Sequence, residues 1–110
     1  MANEHFLAQL WATIESRKAE AGPEKSYTRE LLANPSRARK KVAEEAHEVN
    51  EAHQALLAGQ DSKDHLAHEA ADLIYHLFVV LASADVTPAE VYAVLESRHG
   101  KKPAGAAKSP

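Results

Sequence analysis

Three observations predict an all-α fold. Apolar residues recur at helical spacing through most of the chain, helix-cap and helix-stop residues punctuate them, and no segment alternates as a strand would. The first helix is predicted from about Asn3 to Ala21, with Phe6, Leu7, Leu10, Trp11 and Ile14 in register. Gly22-Pro23 ends it, because glycine suits the position after a helix and proline cannot continue one. A loop carrying Ser26-Tyr27-Thr28 follows, then a short helical turn from Arg29 to Ala33, and Asn34-Pro35-Ser36 forms the next break.

A long second helix is predicted from about Ser36 to Ala58, with Val42, Ala46, Val49, His53, Leu56 and Leu57 on one side and Gly59 closing it. Asp61 or Ser62 can cap a third, running to about Ala84 with Leu66, Ala70, Leu73, Leu77, Val80 and Leu81 inward. The last helix has the clearest start. Thr87 is its N-cap, Pro88 its first residue and Glu90 completes a capping box, with Val86 and Val91 placed for a hydrophobic staple. Gly100 ends it. The expected organisation is one domain over residues 1–100 and a disordered tail of Gly, Ala, Pro and Lys over 101–110.

Composition narrows the function. The formal charge is −3, so no basic field exists to attract nucleic acid or an anionic membrane. Cysteine is absent, which removes disulfides, thiolate metal sites and a cysteine nucleophile. The sequence shows neither a secretory signal nor an uninterrupted apolar span, so a cytoplasmic protein is expected. Aromatics are only 5% of the residues, and a core that thin favours oligomerisation.

The chemistry lies in a repeated acidic pair. Val42-x-x-Glu45-Ala46-x-Glu48-Val49 returns 24 positions later as Leu66-x-x-Glu69-Ala70-x-Asp72-Leu73. At about 100° per residue, Glu45 falls about 60° from Val42, on the apolar side, and Glu48 at its margin. Glu69 and Asp72 take the same places relative to Leu66, whereas Glu44 points further towards solvent. Carboxylates on an inward face are costly to bury unless a cation or donor compensates them. Ligation by oxygen alone selects Mg²⁺, or Mn²⁺, over zinc. The competing reading is an Ala-rich helical bundle whose glutamates are solvated surface, which fits a single pair better than two in register. Arg37, Lys40 and Lys41 open the second helix beside these acids, where a cation opposes the helix dipole and a phosphate partner would be favoured.

Seven histidines also invite a metal reading. His47 and His68 project away from the apolar stripes and read as surface. A ferritin-like di-iron centre needs two Glu-x-x-His elements on different helices, and only one stands in suitable company here. His76 lies one turn beyond Asp72, where it could orient that carboxylate, touch a substrate or simply pack.

These residues resemble a known superfamily. Glu44-Glu45-x-x-Glu48 followed by Glu69-x-x-Asp72 is similar to the EExxE…ExxD signature of MazG-like all-α nucleotide pyrophosphohydrolases. Within it, Ser26-Tyr27-Thr28, Lys40-Lys41-Val42-x-Glu44-Glu45-Ala46 and Asp72-Leu73-Ile74-Tyr75-His76-Leu77 resemble the phosphoribosyl-ATP pyrophosphohydrolases of histidine biosynthesis, over about Leu7 to Arg98. The resemblance implies hydrolysis of phosphoribosyl-ATP to phosphoribosyl-AMP and pyrophosphate by a Mg²⁺-dependent homodimer, its bundle completed by helices of both subunits. It implies metal ligation by Glu45, Glu48, Glu69 and Asp72. Glu44 would orient the attacking water, bind a further metal or support the ligands. Ser26, Tyr27, Thr28, Arg37, Lys40, Lys41 and His76 are the expected substrate contacts. Two alternatives remain at this point: a house-cleaning (d)NTP pyrophosphatase of the same superfamily, and a non-enzymatic interaction module.

Overall fold

The computed structural model describes residues 5–19 and 26–100. Five helices run in the order α1 (Phe6–Ala19), α2 (Tyr27–Leu32), α3 (Pro35–Leu57), α4 (Lys63–Ser83) and α5 (Pro88–Arg98), with no strand among the described residues. The expected turn after Ser26-Tyr27-Thr28 is a six-residue helix that starts at Tyr27, with Ser26 as its cap. The expected Gly22-Pro23 stop and the 101–110 tail lie outside the described residues.

Helices α2 to α5 start where a side chain can satisfy an exposed N–H group. Asn34, Ser62 and Thr87 accept from the backbone N–H three residues on, and the Thr87–Glu90 capping box forms in both directions. Two helices stop by the same device. After α3, the N–H groups of Gly59 and Gln60 reach back to Leu56 and Ala55; after α4, those of Asp85 and Val86 reach back to Ala82 and Leu81. Both are Schellman closures, which need a left-handed residue at the first of the two positions. Gly59 supplies it at φ 75°, and Asp85, a residue that tolerates this region, at φ 57°. Asp85 also pairs with Lys18, tying the end of α1 to the end of α4.

The antiparallel α3–α4 hairpin forms the largest interface, and α1 and α2 pack on α4. Ile14, Leu31, Ala38, Phe78, Val79 and Ala82 form the buried core, with Trp11 edge-on to Phe78. Along α3 the inward residues are Ala38, Val42, Glu45, Val49, Ala52 and Leu56, in steps of four and three. That is the spacing of a helix-packing seam. Leu66, Glu69, Leu73, His76 and Val80 repeat it on α4. The buried face of α3 is thus turned further towards the acids than the apolar stripe predicted. His53 is exposed and Leu57 is 75% exposed, because each falls one residue off the seam defined by Ala52 and Leu56. Leu77 is likewise half exposed, since Phe78, Val79 and Ala82 take the core side.

By length and composition α4 could cross a membrane. Its seam carries Glu69 and His76, and it packs on three other helices, which marks it as the central helix of a bundle. By contrast, α5 makes no comparable interface, and Tyr92, Val94 and Leu95 stand exposed on it.

The Gly59 turn sets the hairpin and offers a clean test. A Cβ at Gly59 would meet nothing within 4 Å. Gly59→Ala should therefore cost only its backbone strain, about 1–2 kcal/mol, read from urea unfolding followed by circular dichroism.

Candidate active site

The seam brings Glu45 and Glu69 to the inside of the hairpin, and Glu48 to its margin. One carboxylate oxygen from each of the three lies within 4.8 Å of the others. Glu45 is only 6% exposed. Its Oε2 and that of Glu69 are buried without a hydrogen-bond partner.

Three carboxylates that close repel one another, and burial adds to the cost of their charge. Burial first, then the charges of Glu48 and Asp72, push the Glu45 carboxyl above its ordinary range. Glu69 is pushed the same way, chiefly by the neighbouring Glu48 carboxyl, with burial next. A hard divalent cation would relieve both costs, and two orphaned oxygens facing a cluster with no thiol ligand suit one. Asp72 stays outside the closest trio, exposed at its edge, yet near enough to Glu45 to raise it.

The basic residues expected around this cluster divide. Lys41 reaches it, lying 3.3 Å from Glu44 and 3.9 Å from Glu45. Glu44 itself is solvent-facing and occupied by Lys41, as its place on the helix required. Arg37 lies over the Tyr27 ring, 5.6 Å from its centroid, and Lys40 is exposed.

The Ser26-Tyr27-Thr28 segment folds onto α4. Ser26 Oγ accepts the Arg29 N–H at 3.2 Å and so starts α2. Thr28 and Tyr75 share a hydroxyl hydrogen bond. Tyr27 stacks on Tyr75, with ring centroids 6.3 Å apart, and its hydroxyl lies 2.9 Å from His76 Nε2. His76 Nδ1 lies 2.8 Å from the backbone carbonyl of Asp72. A carbonyl only accepts, so Nδ1 carries the proton and Nε2 receives the Tyr27 hydroxyl. His76 is packed and hydrogen-bonded: it holds the Asp72 backbone carbonyl and the Tyr27 hydroxyl, not the Asp72 carboxylate. All three hydroxyls of the segment have internal partners, and Tyr27 still leaves 41% of its surface open.

His47 and His68 are surface residues, each 72% exposed at the side chain. His65 is different. Its ring stands between Asp61 and Glu69, a partnership missed in the sequence. The spacing of 61, 65 and 69, one helical turn each, was the available signal.

A helical hairpin that gathers carboxylates from both arms around orphaned oxygens defines a class: all-α proteins with an acidic helix pair able to hold a divalent cation. Sequence comparison narrows it. The phosphoribosyl-ATP pyrophosphohydrolase family profile matches residues 7–99, and the chain belongs to that family. A phosphoribosyl-ATP pyrophosphatase from Cereibacter sphaeroides is 47% identical over 95 residues, 86% of each chain. Proteins of the same name from a Jannaschia species and from Dinoroseobacter shibae are 44% and 45% identical, over 86% of this chain and 87% of theirs.

The buried charge of Glu45 has a measurable cost in the metal-free protein. Glu45→Gln should stabilise that form at neutral pH, by on the order of 1 kcal/mol. A carboxyl raised on folding contributes stability that is full below its unfolded value of 4.5 and lost as pH rises through the folded value. The advantage of the variant should therefore grow as pH rises above 4.5, measured as Tm in the presence of a chelator.

Proposed function

We propose that this chain hydrolyses phosphoribosyl-ATP to phosphoribosyl-AMP and pyrophosphate, with a Mg²⁺ ion held by Glu45, Glu48 and Glu69 and approached by Asp72. The observation that carries the reading is the pair of buried, unpartnered oxygens on Glu45 and Glu69, on opposite arms of one hairpin. Membership of the family supplies the substrate class. The setting is the cytoplasm, where histidine biosynthesis would use the product.

When bound, the cation neutralises charge on the triphosphate oxygens and on the departing pyrophosphate. The protein's own side chains do the rest. Glu45 is fixed by burial on the α3 seam, so its carboxylate is aimed before substrate arrives. Lys41, tethered between Glu44 and Glu45, offers a positive charge to a non-bridging phosphate oxygen. Tyr27, 41% exposed and flanked by Tyr75 and Arg37, offers its exposed surface to a base or ribose. Water attacks the α-phosphorus in line. The new P–O bond forms as the α–β bridging P–O bond breaks, and pyrophosphate leaves with the bonding electrons. Glu44, on the solvent side of the cluster, would orient that water and take its proton.

Exposed Tyr92, Val94 and Leu95 on the loosely attached α5, with Phe6 on α1, support a homodimer in which a second copy's helices cover them.

Pyrophosphate release from phosphoribosyl-ATP should require Mg²⁺ or Mn²⁺. Glu48→Gln should lower it more than about 100-fold, since even outer partners of metal ligands are worth 10–100-fold, while helicity is kept. Near wild-type activity in Glu48→Gln would remove this assignment. A panel of dNTPs hydrolysed faster than phosphoribosyl-ATP would transfer the site to nucleotide house-cleaning.

A further inference from the structure

Where α4 begins, a small hydrogen-bonded device stands beside the acidic cluster. His65 Nδ1 lies 2.6 Å from Asp61 Oδ2, and Nε2 lies 3.2 Å from Glu69 Oε1. Asp61 is itself anchored, because its Oδ1 accepts the Ser62 N–H at 2.7 Å. Ser62 Oγ in turn accepts the His65 N–H at 3.0 Å. The imidazole is thus held at both ring nitrogens, and the group holding its far side is part of the helix cap.

Glu69 uses its two oxygens differently. Oε1 faces His65, whereas Oε2 is buried with no partner in the cluster formed with Glu45 and Glu48. A cavity of about 420 Å³ lies over this arrangement, lined by Glu48, Glu51, Asp61, His65 and Glu69. An unrestrained glutamate samples several rotamers and gives up that freedom when it takes a ligand. A donor fixed to one carboxylate oxygen removes most of that cost in advance and aims the other oxygen.

We propose that His65, anchored by Asp61, is a positioning residue for Glu69: it holds one carboxylate oxygen so that the other is presented to the cation of the Glu45–Glu48–Glu69 cluster. The proposal rests on the cation-site reading above. It assigns His65 to the support of a ligand and not to ligation itself. Among the described residues the ring meets the cluster through Glu69 Oε1, and Asp61 holds its other nitrogen.

The test is calorimetric titration of Mn²⁺ into the metal-free full chain, with far-UV circular dichroism on each variant. His65→Ala should weaken Mn²⁺ about tenfold, with helicity unchanged. His65→Gln keeps an N–H donor at similar reach and should return affinity to within about threefold of wild type. Asp61→Asn, which leaves the Ser62 cap in place, should fall between the two, and it carries the test if His65→Ala does not fold. Wild-type affinity in His65→Ala, or in Asp61→Asn where that variant stands in for it, would overturn the proposal. So would a His65→Gln variant as weak as His65→Ala, because the ring itself would then be the ligand. A wild-type chain that binds no Mn²⁺ would overturn the cation site itself, and the positioning role with it.

Discussion

The structure turns on one carboxylate placed where packing would ask for an apolar side chain. Glu45 occupies a seam position between Val42 and Val49 on α3, and the hairpin closes over it. An apolar residue there would continue the seam between Val42 and Val49 at no electrostatic cost. Instead the seam buries a charge, sets Glu69 across from it and adds Glu48 at the margin. Such an arrangement weakens the metal-free fold, and under the proposed function a cation would convert the mutual repulsion into ligation. The rest of the bundle serves this hairpin: α1 and α2 pack on α4, and the two Schellman closures fix where its long helices stop.

Rigidity around the cluster is graded. Glu45 is held by burial, Glu69 by hydrogen bonding through His65 to Asp61, and Asp72 by its backbone, which accepts His76. Glu48 and the Asp72 carboxylate stand at the exposed edge, where, as proposed ligands, they would be free to adjust to a phosphate chain. Tyr75 and His76, against which Tyr27 of α2 packs, lie on the same helix as Glu69 and Asp72. In the proposed function, substrate recognition and cation binding would therefore share α4 as a common frame.

Much of this was legible in the residues. The cap chemistry of Thr87-Pro88-x-Glu90 and the Gly59 stop placed helix ends correctly, because those signals act within one turn of the chain. The preference for Glu45 over Glu44 followed from angular position alone. Stripe periodicity was less sharp about the centre of the buried face, since it averages over apolar residues and gives no weight to a buried glutamate. That is why His53 and Leu57 were placed inward and are exposed. Tyr27 with His76 and Lys18 with Asp85 were not readable at all, being side-chain pairs between residues distant in sequence. The Asp85 stop was hidden for a different reason: a left-handed residue other than glycine leaves no mark in composition.

The central claim is that Glu45, Glu48 and Glu69 together surround a divalent cation. Anomalous diffraction at the manganese edge, from crystals grown with Mn²⁺, tests it most directly. The account predicts a peak at coordination distance from Glu45 Oε2 and Glu69 Oε2, with Glu48 and Asp72 closing in around it. A peak elsewhere, with the three carboxylates still in mutual contact and no metal between them, would contradict it.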